Sequence, residues 1–221
     1  DNVGNIMALA ERWFGSEPFN DNLCVIAVGP GVALGQFVNG MIHRGAHGIN
    51  PEIGHSKTGI GADRRCLCGA SGCLVRVAGL AGIAERAVEA GLWQGDPIST
   101  YGACLEQLTQ LARGGDGHAT TLLDEAGTAL GIALANHIAS WDPSKLLLLA
   151  EDACWGEQVY PCMLAALRSA LPAPARDLVE IDIRLAEPDL YTRGTLALAL
   201  DHIFRAPELA VWEGLERVDH S

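Results

Sequence analysis

Four residues between Glu52 and Cys73 carry side chains that bind a borderline-soft divalent metal: His55, Cys66, Cys68 and Cys73. Imidazole nitrogen and thiolate sulfur are the ligands of closed tetrahedral zinc sites, and one histidine with three cysteines is a recognised set. The spacing suits it. Cys66 and Cys68 stand one residue apart, and a loop holding Gly69 and Gly72 leads on to Cys73. Glycine takes the positive φ that such a loop needs to turn its side chains onto one point. Arg64 and Arg65 are placed to lower the neighbouring thiol pKa values and favour thiolate. Four protein ligands leave no open position for water, so a bound Zn2+ is expected to be structural. It would staple a glycine-rich insertion at about 45–75. A Cys68–Cys73 disulfide, or a set of idle thiols, is the alternative; the disulfide leaves Cys66 and His55 without a role.

The rest of the chain must hold that insertion. A length of 221 residues allows one large domain or two small ones. Hydrophobic residues make up 49% and aromatics only 5%, so Ala, Leu, Val and Gly must build the core. The net charge of -12 argues against a nucleic-acid surface within this segment, because phosphate binding needs clustered Lys and Arg. No apolar run reaches membrane-spanning length, and no stretch reads as a secretory signal. The other cysteines (Cys24, Cys104, Cys154, Cys162) form no pattern and bring the total to seven. That usage points to a reducing, cytoplasmic setting.

An Ala/Leu-rich helix is expected over Ile6–Phe14, with Gly15 as its stop. Strands follow at 23–28 and 32–38, and Asn39-Gly40 is a strong hairpin signal leading to a returning strand at 41–44. After the insertion the periodicity predicts helices at 80–91, 100–113 and 116–140, the last with Gly127, Gly131 and Ala135 at intervals of four. The apolar run 145–150 reads as a buried parallel strand, followed by a helix at about 156–171, a strand at 179–185 and a helix at 192–205. The tail after Pro207 is expected to dock as a further turn or stay loose.

Without the insertion the order is β-β-β-α-β-α-β-α, a meander continued by two right-handed crossover units in an α/β sheet. It is the order of one subdomain of the ribonuclease-H-like fold shared by actin and sugar kinases. Residues 1–20 then read as a remnant of a first lobe or interlobe helix, 21–206 as the second subdomain, and 207–221 as a tail. A first lobe is expected upstream of Asp1.

The run from Gly29 to Gly48, with Pro51-Glu52-Ile53-Gly54-His55 and Cys66-Leu67-Cys68-Gly69-Ala70-Ser71-Gly72-Cys73, resembles the ROK family (repressors, open reading frames and kinases). The similarity covers nearly all of residues 1–206. It implies a structural zinc on His55, Cys66, Cys68 and Cys73. It also implies one of two activities: a sugar kinase, or a transcriptional repressor with a winged helix-turn-helix ahead of a sugar-kinase-like body.

Four departures from the kinase branch follow from the resemblance. The catalytic base of the family's Glu-Asn-Asp-x-Asn stretch falls on Val3 when anchored on Ala8-Leu9-Ala10-Glu11. The sugar-binding Glu two residues past the last zinc cysteine is Val75. The Gly-Gly beside the adenosine is replaced in Leu149-Ala150-Glu151, and the phosphate-contacting Gly-Thr-Gly reads Gly29-Pro30-Gly31. Asn2, Glu52 and His55 match positions that hydrogen-bond sugar hydroxyls. The chain is therefore expected to be catalytically silent. It is read as the effector-binding and oligomerising part of a ROK regulator, with a sugar-like effector and DNA contact through an upstream module. A zinc-containing sugar kinase is the competing expectation, requiring Asp1 to replace the base. A scaffold using the fold only for subunit contacts is the third.

Overall fold

The computed structural model describes residues 1–16, 20–49, 51–151 and 153–205. One five-stranded sheet organises them, in the order β3-β2-β1-β4-β5. Strands β1 (Leu23–Val28), β2 (Val32–Val38) and β3 (Met41–Ile42) form the expected antiparallel meander. Strand β4 (Lys145–Ala150) pairs parallel with β1, and β5 (Glu180–Leu185) pairs parallel with β4. Side chains alternate across a strand, so each central strand feeds two cores. Cys24, Ile26 and Val28 of β1, with Leu146 and Leu148 of β4, join the core under α3 (Leu80–Glu89), α4 (Tyr101–Arg113), α5 (Gly117–Trp141) and α6 (Ala153–Ala170). Leu23, Val25 and Ala27, with Leu147 and Leu149, face α1 (Val3–Phe14) and α7 (Leu190–Arg205) on the opposite side.

The small-residue periodicity of α5 has a specific use. Any Cβ on Gly127 or Gly131 would stand 2.5 Å from the Val159 carbonyl oxygen or 2.3 Å from that of Met163, so α6 packs directly on this stripe. The Asn39-Gly40 turn takes positive φ at both residues, 51° and 76°, as a two-residue hairpin requires.

Most element boundaries differ from the sequence expectation by one to three residues. Helix α1 begins at Val3 rather than Ile6, because the Asn2 side chain accepts from the Asn5 backbone N–H at 2.7 Å and caps it. Strand β3 ends at Ile42 rather than residue 44: His43 N–H still reaches the Gln36 carbonyl, but Arg44 turns away to an ion pair with Asp1. A four-residue helix α2 (Val75–Ala78) also stands between the insertion and α3. Gly79, extended at φ -70° and ψ 143°, separates the two, and a Cβ there would meet the Pro30 carbonyl oxygen at 2.8 Å. The tail after Pro207 lies outside the described residues. No described helix is long and apolar enough to cross a membrane.

Candidate functional site

The insertion folds as a set of tight turns. Cys66 N–H donates to the Ala70 carbonyl and Gly69 N–H to the Cys66 carbonyl, with Gly69 at φ 91° and Gly72 at φ 70°. Isolated bridges tie Lys57 to Cys73 and Arg65 to Ser71. These turns bring the four expected ligands together: one donor atom from each of His55, Cys66, Cys68 and Cys73 lies within 4.8 Å of all the others. His55 Nδ1 is 3.7 Å from Cys66 Sγ, and the sulfurs of Cys68 and Cys73 are 3.6 Å apart. Tetrahedral bonds of the lengths zinc makes to sulfur and nitrogen would separate two sulfurs by about 3.8 Å and a sulfur from a nitrogen by about 3.6 Å. The four residues thus fit one metal ion, and Cys68 and Cys73 are both free thiols rather than a disulfide.

Of the two arginines the spacing suggested, Arg64 does not serve this cluster. Arg64 is turned away into a two-pronged pair with Glu89. Instead Lys57 donates from Nζ to Cys73 Sγ at 2.7 Å. Burial raises the Cys73 thiol above its ordinary pKa and Lys57 opposes that rise, while the Ala70 backbone N–H is foremost in lowering Cys68. Three thiolates and a divalent ion would carry one net negative charge, which Lys57 would offset. Lysine occurs at many surface positions, so nothing in its spacing marked it.

A cleft adjoins the cluster through the short 3₁₀ turn Ile53–His55. Gly54 lets that turn lie against β2, since a Cβ would meet the Val32 carbonyl oxygen at 2.6 Å. The cavity measures about 360 Å³ and is lined by Val3, the Gly29-Pro30-Gly31 turn, Glu52, His55, Val75, Glu151 and Tyr191, among others. Five separate elements converge here: the first turn of α1, the β1–β2 turn, the cysteine-bearing insertion with α2, the end of β4, and the first turn of α7. Its size is at the small end of ligand sites.

Inside it, Val3 presents an apolar side chain, 41% exposed, and Val75 is half-buried. Asp1 does not line the cavity. Its Oδ2 pairs with Arg44 Nη2 at 2.7 Å and its Oδ1 accepts from Asn5 Nδ2 at 2.7 Å. Asn2 also stands off the wall, its side-chain oxygen engaged as the α1 cap. Glu52 and His55 do face the cavity, with Glu52 Oε2 3.8 Å from His55 Nε2.

Glu151 is held more firmly than its position at a strand end implied. The Tyr191 hydroxyl donates to Oε1 at 2.6 Å and the Tyr101 hydroxyl to Oε2 at 3.3 Å. A Cβ on Gly29 would meet the Glu151 carboxylate at 2.4 Å, so the carboxylate rests directly on the β1–β2 turn. Burial, then the Glu151 contact, raises the Tyr191 phenol and keeps it a donor. No local pattern flags Tyr101 or Tyr191, which reach Glu151 from 50 and 40 residues away.

Residues 2–201 match the ROK family model. The chain belongs to the ROK family. It is 32% identical over 154 residues to a glucokinase of Halalkalibacterium halodurans, covering 67% of this chain and 47% of that protein. Over 220 residues it is 24% identical to a xylose repressor of Caldicellulosiruptor bescii, covering 95% of this chain and 54% of the repressor. A ROK hexokinase from Thermus thermophilus superposes with a TM-score of 0.73 at 25% identity, over 89% of this chain and 65% of the hexokinase. The fold is therefore the ribonuclease-H-like, actin-like fold of ROK sugar kinases. The chain spans about half the length of the curated relatives it matches. ROK relatives of both kinds, kinase and repressor, are similar to it.

Proposed function

We propose that this chain is the effector-sensing and oligomerising part of a ROK-type transcriptional regulator and carries out no phosphoryl transfer. The carrying observation is Val3 on the cleft wall with Asp1 off it. Transfer to a sugar hydroxyl needs a carboxylate within hydrogen-bond reach of that hydroxyl. Val3 has none, and Asp1 is committed to Arg44 and Asn5. Val75 and Glu151 support the same reading, since one removes a polar contact and the other brings negative charge beside the Gly29-Pro30-Gly31 turn. A regulator needs a cleft that responds to a signal and no turnover.

In this reading residues 1–20 are the remnant of a first lobe and 21–206 the second subdomain. A sugar-like effector contacts Glu52 and His55, which face the cavity, whereas Asn2, capping α1, stands off its wall. His55, Cys66, Cys68 and Cys73 hold a structural Zn2+ that keeps the insertion, and with it Glu52, in place. DNA is contacted by a module outside this chain, in keeping with the net charge of -12. The working form is a cytoplasmic homo-oligomer.

A second reading, a ROK sugar kinase, is favoured by the glucokinase match. The two separate in one assay: ADP formation by the full-length protein with ATP and a panel of aldohexoses and aminohexoses. No sugar-dependent ADP is expected. Sustained turnover with any of these sugars would defeat the regulator reading.

A further inference from the structure

Glu151 differs from the other charged groups of the cleft in how it is held. Two tyrosine hydroxyls, from α4 and α7, each donate to one of its oxygens, and the carboxylate lies against Gly29. Among the described residues no Lys or Arg pairs with it, and none lines the cavity. The other charged wall residue is also acidic, Glu52. The remaining wall is largely apolar, with Val3, Val32, Ala33 and Val75.

A carboxylate offers about four lone-pair positions, and the tyrosines occupy two. The lone pairs left over, one on each oxygen, are pre-aimed, and the carboxylate carries a charge that nothing in the cleft neutralises. An ammonium group supplies both the charge and the donors. A phosphate supplies neither and would be repelled by both carboxylates. A Ca2+ or Mg2+ ion needs six or more oxygens, which an apolar wall does not provide.

We propose that the cleft takes a small molecule bearing a protonated amine, seated on Glu151 with its carbon body against Val3 and Val75, and rejects phosphorylated ligands. This rests on the reading above only in treating the cleft as a ligand site; the amine preference is a property of Glu151.

Calorimetric titration of the metal-loaded full-length protein tests it with matched probes: glucosamine, glucose and glucose 6-phosphate, and cyclohexylamine against cyclohexanol, with both amines protonated. At least one amine should bind about tenfold or more tighter than its neutral partner, as a charge-assisted hydrogen bond implies. Glucose 6-phosphate should give no heat. Glu151→Gln should abolish the amine preference. Should that variant not fold, Tyr191→Phe, which frees the carboxylate but keeps its charge, should weaken amine binding several-fold. Equal affinity for amine and neutral probes, no binding by either amine, binding of the phosphate, or an intact preference in Glu151→Gln each overturns the proposal. Hexose-dependent ADP formation would instead defeat the regulator reading and leave the calorimetric preference standing.

Discussion

Gly4 and Gly35 meet backbone to backbone: a Cβ on Gly35 would lie 2.1 Å from the Gly4 carbonyl oxygen, and one on Gly4 would lie 2.1 Å from the Leu34 carbonyl carbon. This contact seats the first turn of α1 on β2 and so decides which residue of that turn faces the cleft. Asn2 starts the helix, the glycine pair sets its depth, and Val3 is the residue presented.

Gly35→Ala should therefore be costly. Overpacking a rigid site typically costs 1–3 kcal/mol, and here the obstacle is backbone that no side-chain rotation relieves. A loss of about 3 kcal/mol or more is expected in urea unfolding, with an unchanged m value. A variant as stable as the parent would show that α1 does not sit on β2 this closely.

Removing the metal should loosen the insertion before the sheet. Few apolar side chains lie between Ser56 and Cys73, and Leu67 is fully exposed. Chelation, or Cys66→Ser, is expected to release about one equivalent of zinc per chain, measured by mass spectrometry, and to speed amide exchange over residues 56–73. Exchange in β1 and β4 should change little. Uniform loss of protection across the sheet would mean that the ion supports the whole fold.

Stability should fall in mild acid through His137. Burial lowers its pKa from an ordinary 6.5 to about 4, and its Nε2 has no hydrogen-bond partner. Between those values the unfolded chain binds a proton that the folded chain refuses, so stability is full above pH 6.5 and is lost as pH falls toward 4. Each unit across that window is worth up to about 1.4 kcal/mol. His137→Phe, which keeps a ring against Trp141, should flatten that part of the urea-derived stability profile. An equal slope in the variant would assign the acid sensitivity elsewhere.

Restoring a carboxylate alone should not restore chemistry. Val3→Asp places a base at the cleft wall, but Val75 still offers no hydrogen bond and Glu151 still crowds the β1–β2 turn. The expected result is no ADP formed from ATP and glucose by the full-length variant. Turnover in Val3→Asp would show that the base was the single missing part.

Local chemistry was legible in the chain itself. The His55, Cys66, Cys68 and Cys73 cluster that could hold a metal ion is marked by its residue types, and the Asn39-Gly40 hairpin, the apolar runs of β1, β2 and β4, and the small-residue stripe of α5 depend on residues within a few positions of one another. Periodicity and turn chemistry report those directly. The valines at positions 3 and 75 were marked only by the resemblance to the ROK family, which implies a carboxylate at each position. What only the folded chain decided were pairings across long separations. Lys57 rather than Arg64 stands against Cys73, Asp1 is taken up by Arg44, and Tyr101 and Tyr191 converge on Glu151. Each such pair joins side chains 16 to 50 residues apart. Such meetings are set by how β1, β4, α4 and α7 pack, and no short window of sequence contains both partners.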